Sequence, residues 1–186
     1  MAKTHQPSTT PDLAALKGLI PDGLGDRLTF WASQTEGPIV EVGSFKGKST
    51  CYLAAGAVGR TVYAVDPWGL PGNVPGRFRF DQARTEFDRQ TEPWPNITAI
   101  QGFSLDVAAQ WDEPVGLVYV DGSHHYRDVL ADLRAWAPWC SGPILCDDFG
   151  TPRNPGVKQA VDEWTKESGR KYTVEAERLA VVAPAV

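Results

Sequence analysis

The sequence predicts an α/β fold: a seven-stranded, mostly parallel sheet with an antiparallel last strand and helices on both faces. Three observations lead there. Short β-branched runs, PIVEVG, TVYAVD, NITAIQG, VGLVYVDG and GPILCDD, each close on a glycine or an acid. Segments of helical period separate them, and strand, helix, strand repetition means parallel strands joined by crossover helices. Two more runs, YTVEAER and LAVVAPAV, abut at about Arg178 and Leu179, which suits a hairpin whose final strand enters the sheet antiparallel.

The elements follow in order along the 186 residues. Residues 1–11 are polar and rich in Thr, Ser and Pro, a composition that buries too little surface to offset chain entropy, so a flexible tail is expected. Residues 12–186 then make one domain, with N-terminal helices over 12–37 and the sheet-bearing core over 38–186. Leu13, Leu16, Ile20, Leu24, Leu28 and Trp31 recur at helical intervals, and Pro21 and Gly23 break them into two short helices. Further helices are predicted over 48–58, 81–90, about 104–110 and 125–139, the last with Tyr126, Val129, Leu130, Leu133 and Trp136 on one apolar face. A final helix over 156–167 begins just after Pro155 and ends near Gly169. The long unpatterned insert WGLPGNVPG, after the second strand, suits a lid running from Trp68 to about Phe80, because long loops inside compact domains tend to carry function.

Composition narrows the partners. Hydrophobic residues at 42% and charged residues at 22% are those of a globular chain. The net charge of −5, with no stripe of Lys or Arg, argues against nucleic acid as a partner. Apolar runs fall far short of the ~20 residues that span a bilayer, and the N-terminus lacks a signal peptide's apolar core, so no membrane and a cytoplasmic location are expected. Cys51, Cys140 and Cys146 are odd in number, lie in apolar segments and lack zinc-type spacing; they read as buried free thiols.

The first candidate site is EVGSFKG, bringing Glu41, Gly43, Ser44, Phe45 and Gly47 to the end of the first strand, ahead of a helix that starts near Lys48. Such a helix start offers free N–H groups and a positive dipole end, and glycine lets a ligand approach the backbone. The alternative is a tight turn that needs glycine for geometry alone. Neither phosphate motif is met: Gly43 and Gly47 enclose three residues where a P-loop needs four, and Phe45 stands where GxGxxG needs glycine. Ser49, in the first helical turn, is free to hydrogen-bond toward a ligand. Asp66 ends the second strand, 23 residues after Gly43, where a carboxylate accepts from two ribose hydroxyls. Pro67 and Trp68 offer an apolar face to a purine. Gly102 and Ser104 close the third strand, with Ser104 either bonding the adenine or capping a helix.

The second site is acidic. Asp121 ends the fourth strand and Asp147 and Asp148 end the fifth, so three carboxylates converge at one sheet edge, where like charges repel unless a cation lies among them. Oxygen-only ligands suit Mg²⁺, or Mn²⁺ in its place. The alternative is that one acid caps the helix at His125 and another meets an arginine such as Arg127 or Arg153. His124, three residues after Asp121, is placed to take a proton from a substrate hydroxyl.

Taken together and in this order, EVGSFKGKST, VYAVDPW, VYVDGSHHYRDVLADLRAW, ILCDDFG and PGVKQAVDEW resemble the class I S-adenosylmethionine-dependent methyltransferases, and among them the small bacterial family of macrocin-type, metal-dependent O-methyltransferases. The resemblance spans about Pro38 to Trp164. It implies the Rossmann-like methyltransferase fold, with Glu41, Gly43, Gly47 and Ser49 around the methionine part of the cofactor and Asp66 on its ribose. In metal-dependent O-methyltransferases an Asp at this strand end is followed three positions later by a basic residue proposed for proton abstraction, which lands on His124. Two departures stand out. Asp147 and Asp148 follow the sugar-methylating pattern, where catechol-type enzymes carry Asp then Asn. The chain ahead of the first strand is also shorter, so cover for the substrate must come from WGLPGNVPGRFRF, from the N-terminal helices or from a second copy in a homo-oligomer. The expected activity is Mg-assisted O-methylation of a small-molecule hydroxyl, sugar or catechol-like. A non-catalytic S-adenosylmethionine-binding module is the alternative, as is a nicotinamide-dependent oxidoreductase, which the failed GxGxxG and the three acids disfavour.

Overall fold

The computed structural model describes residues 11–21, 23–70 and 80–185, the side chains of Phe80 and Asp81 excepted. The tail expected over 1–11 and most of the expected lid therefore lie outside the described residues. A 3-10 turn over Leu13–Ala15 precedes α1 (Leu24–Ser33), β1 (Ile39–Val42), α2 (Lys48–Gly56), β2 (Val62–Asp66) and α3 (Phe80–Thr91). Then come β3 (Ile97–Gln101), α4 (Ser104–Ala108), β4 (Leu117–Val120), α5 (Tyr126–Trp136) and β5 (Ile144–Cys146). The chain closes with α6 (Pro155–Ser168), β6 (Tyr172–Glu175) and β7 (Leu179–Val182).

The seven strands form one sheet in the order β3-β2-β1-β4-β5-β7-β6. Neighbours from β3 to β5 are parallel, and β7 runs antiparallel to both β5 and β6. Strand order reverses between β1 and β4, so a crevice opens outside the carboxyl ends of those two strands, where open α/β sheets bind ligands. Both candidate sites border it.

Alternation along each strand splits the core into two layers. Val40, Val42, Val118, Val120, Ile144 and Cys146 meet Val129, Leu133 and Trp136 of α5 and Val157, Val161 and Trp164 of α6. Ile39, Leu117, Tyr119 and Leu145 point the other way, onto Leu24 and Leu28 of α1 and Leu53 of α2. A fully buried Leu stabilises by roughly 1.5–3 kcal/mol, so this pattern fixes the register of every central strand. The three cysteines are buried and unpaired, as expected, and burial pushes the Cys51 thiol up to about 12.

Two elements differ from expectation. The first of the two N-terminal helices is a single turn held by the Asp12 side chain, which accepts the Ala14 N–H at 3.0 Å. The run YTVEAER stops pairing at Glu175 because Ala176 and Glu177, with φ of +46° and +63°, reverse the chain into β7. No helix among the described residues is long and apolar enough to cross a membrane.

Candidate active site

Glu41 shares the strand face of Ile39, which turns its carboxyl beneath α2. It is fully buried, and the Thr50 hydroxyl donates to its Oε2. Its Oε1 and the Ser44 hydroxyl are buried with no hydrogen-bond partner of good geometry among the described residues. Burial pushes the Glu41 carboxyl up to about 7, with the nearby Ser49, Thr50 and Ser44 hydroxyls pulling it back down. A carboxylate and a hydroxyl buried and only partly satisfied at a strand end are costly unless something completes them.

The glycines of EVGSFKG serve the protein first. Gly43 has φ +91°, and a Cβ on it would strike the carbonyl of Asp121 and lie 2.5 Å from the Cα of Gly122. Gly47 caps α2 at φ +83°, and a Cβ there would lie 2.8 Å from the Phe87 ring of α3. Geometry alone thus accounts for both.

Asp66 ends β2 almost buried, and its two oxygens hold the surrounding loops. Oδ2 accepts the Phe45 N–H at 2.9 Å and Oδ1 accepts the Trp68 N–H at 2.8 Å. Trp68 in turn donates its indole N–H to the Phe45 carbonyl at 2.7 Å. Asp66 therefore clamps the turn after β1 to the turn after β2, and burial raises its pKa against the pull of those amides. The purine-stacking face expected of Trp68 is taken up by the protein itself. The ring is 4% exposed, packs against Phe87 at 4.7 Å between centroids, and lies under the Arg84 guanidinium at 4.6 Å. Pro67, next to it, is half-buried, and its carbonyl accepts the Leu70 N–H at 2.9 Å.

Ser104 is neither a cap nor open to a ligand through its hydroxyl. Phe103 is the N-cap of α4, and the Ser104 oxygen accepts the Trp136 indole N–H at 2.8 Å while bonding to Asp132, a buried carboxyl pushed up to about 6. Gly102 is tied to the second strand, its N–H donating to the Asp66 carbonyl at 3.1 Å.

The three expected acids do converge, but around the chain's own cations. Arg178 places Nε 2.9 Å from Asp147 Oδ1 and Nη2 3.2 Å from Asp147 Oδ2, and Nη2 also contacts Asp148 Oδ1. The other oxygen of Asp148 lies 2.8 Å from His124 Nε2 and accepts from the Asn154 side chain. Asp121 stands 3.6 Å from the same imidazole nitrogen, its pKa pushed up to about 6 by burial and held back by His124. Burial also raises Asp147, against the opposing pull of Arg178.

With the oxygens of Asp147 and Asp148 engaged in this way, the set does not fit a divalent cation, and no group of three or more His, Cys, Asp or Glu among the described residues is arranged to hold one. The Mg²⁺ or Mn²⁺ ligands expected from the sequence, Asp121, Asp147 and Asp148, are here paired with His124, Arg178 and Asn154. Arg127 and Arg153, the arginines expected to meet these acids, give way to Arg178. His125 is the N-cap residue of α5, without a side-chain capping bond.

Two residues of the site escaped the sequence reading. Arg178 had a signal: Cys146 pairs with Ala180 across β5 and β7, and continuing that antiparallel register sets Arg178 opposite Asp148. Gly156, in the first turn of α6, had none. A Cβ there would lie 2.5 Å from the Tyr126 nitrogen and 2.7 Å from the His124 carbonyl oxygen, so α6 seats directly on the backbone that carries the histidine.

Known proteins share this fold. The structure of the O-methyltransferase NovP superposes with a TM-score of 0.70 at 16% identity, covering 88% of this chain and 80% of that one. An O-methyltransferase from Bacillus cereus in complex with SAH gives 0.65 at 17% identity, covering 91% and 85%. CalS11, a TDP-rhamnose 3′-O-methyltransferase of calicheamicin biosynthesis, gives 0.58 at 19% identity, covering 86% and 76%. At such identities the likeness is one of fold. The family model described as "Methyltransferase domain" matches residues 40–149, from β1 through the acidic pair after β5. With more than half of its length matched, the chain belongs to the methyltransferase-domain family.

Proposed function

We propose that this protein transfers a methyl group from S-adenosylmethionine to a hydroxyl oxygen of a small molecule, sugar or catechol-like, with His124 taking the proton. The observation that carries the reading is the His124–Asp148 pair, 2.8 Å apart, at the carboxyl ends of β4 and β5, next in the sheet to β1, which carries the buried, incompletely satisfied Glu41 and leads to Ser44.

The residues around β1 fit the cofactor. An ammonium group, as on its methionine portion, is what Glu41 Oε1 and the Ser44 hydroxyl lack. The first turn of α2, with Ser49, adds free backbone N–H groups for a carboxylate. Asp66, held by the backbone N–H groups of Phe45, Trp68 and Ser44, has acceptor capacity left for a ribose hydroxyl. When bound, S-adenosylmethionine supplies an electrophilic methyl on a sulfonium.

What the chain must add is alignment of an oxygen with that methyl and removal of one proton. With Nε2–H directed at Asp148, the other ring nitrogen of His124 carries the lone pair that accepts the hydroxyl proton. Asp148 keeps the ring in that orientation, itself held by Arg178 and Asn154. No step is assigned to Mg²⁺ or Mn²⁺.

Calorimetry of the full chain with S-adenosylhomocysteine, NAD and ATP tests the reading. Binding of S-adenosylhomocysteine with neither of the others is expected. Tight NAD binding with no response to S-adenosylhomocysteine would overturn it in favour of an oxidoreductase.

A further inference from the structure

Arg178 is fixed more firmly than a surface arginine needs to be. Its N–H donates to the Glu175 carbonyl at 3.2 Å, and its own carbonyl accepts the Phe149 N–H at 2.8 Å, pinning the end of the β6–β7 hairpin to the turn that follows β5. From there the guanidinium grips Asp147 through two nitrogens and reaches Asp148. A planar fork on a carboxylate is the strongest geometry an arginine has. The side chain stays 26% exposed, with its Nε and Nη2 edge turned onto the two carboxylates.

We propose that Arg178 is the resident cation of the acceptor site: it holds the carboxylate oxygens a divalent ion would need, and its charge, across Asp148 from His124, is the positive charge present as His124 takes the proton. The proposal rests on the reading of the chain as a methyltransferase acting on a hydroxyl. A Mg²⁺ ion binds carboxylate oxygens at about 2.0–2.1 Å, so here it would have to share oxygens that Arg178 already holds, with that positive charge as a repelling neighbour. A single delocalised positive charge acidifies a hydroxyl far less than a bound divalent ion does. The site therefore suits a hydroxyl that already ionises near pH ~10, as a phenol does, over a sugar alcohol.

Mn²⁺ titration of the full chain, read by electron paramagnetic resonance, tests the cation. Wild type should bind in the millimolar range or weaker, Arg178→Met at least tenfold tighter, and Arg178→Lys like wild type. Micromolar binding by wild type, or no gain in Arg178→Met, overturns the proposal. Should Arg178→Met fail to fold, the wild-type and Arg178→Lys titrations decide it. With EDTA and S-adenosylmethionine present, wild type should methylate catechols or flavonoids and leave TDP-sugars unchanged; a requirement for added Mg²⁺, turnover of TDP-sugars, or absence of phenol methylation overturns the acceptor class. Calorimetry with S-adenosylhomocysteine on the same samples separates the two levels: its loss defeats the methyltransferase reading, whereas the Mn²⁺ result bears on Arg178 alone.

Discussion

Gly43 and Asp121 touch backbone to backbone: a side chain on the glycine would strike the carbonyl of Asp121, and Gly122 lies just behind it. The turn that follows β1 and the loop that carries His124 are therefore one packed unit, and a change in one is felt in the other. Gly59 is the natural control, since it has φ +73° but nothing within 4 Å of an added Cβ. Gly59→Ala should cost about 1 kcal/mol for backbone strain alone, and Gly43→Ala about 3 kcal/mol or more with loss of S-adenosylhomocysteine binding. Denaturant melts and calorimetry check both, and equal costs would mean the contact with Asp121 relaxes freely.

Glu41 gives the fold a pH dependence of opposite sign to the usual acid. Its pKa in the fold, about 7, lies above the ordinary 4.5, so the folded chain binds the extra proton. Stability therefore falls as pH rises from about 4.5 to about 7, and the penalty, at most about 3 kcal/mol, is complete above that window. Glu41→Gln should stabilise the cofactor-free chain at pH 8, with the gain fading toward pH 4.5. The same variant should bind S-adenosylhomocysteine more weakly, because the proposed partner of its ammonium loses its charge. A stability gain independent of pH would show that Glu41 is not the titrating group.

The sheet was legible in the sequence because its strands alternate and end in glycine or acid, and burial of two faces leaves few other solutions. Glu41, Asp66, Asp121, Asp147, Asp148 and His124 were legible for the same reason, since parallel strands deliver their carboxyl ends to one edge. What those residues bond to was not. Trp68 looked like a stacking surface because pattern reports an aromatic ring but not the Arg84 and Phe87 that cover it. Ser104 looked available because its partners, Trp136 and Asp132, come from a helix far along the chain. The arginine that meets the acids was hard to see because it arrives from a hairpin whose register only pairing with β5 defines.

That hairpin's three-residue connection turns through Ala176 and Glu177, both at positive φ, a conformation in which tight turns normally use Asn and Gly. Each such residue costs about 1 kcal/mol or more. Replacing Ala176 by Asn together with Glu177 by Gly should raise stability by about 1–2 kcal/mol and leave S-adenosylhomocysteine affinity unchanged, as read by chemical denaturation and calorimetry. A loss of stability would mean that the side chains of these two residues, and not their backbone, hold the turn.

The proton step can be separated from its scaffold by comparing His124 with Gly156. Removing the imidazole in His124→Ala should lower kcat by about 10²–10⁴ while S-adenosylhomocysteine still binds, because the proposed anchors of the cofactor lie on the first two strands. Gly156→Ala keeps the imidazole but drives a methyl group into the backbone at Tyr126 and His124, so it should lower kcat through misplacement. Added imidazole distinguishes the two. A free base can enter the cavity left by His124→Ala and restore part of the rate, whereas in Gly156→Ala that space is still filled and no rescue is expected. An unchanged rate in His124→Ala would reduce the histidine to a partner of Asp148 and assign the proton to another group.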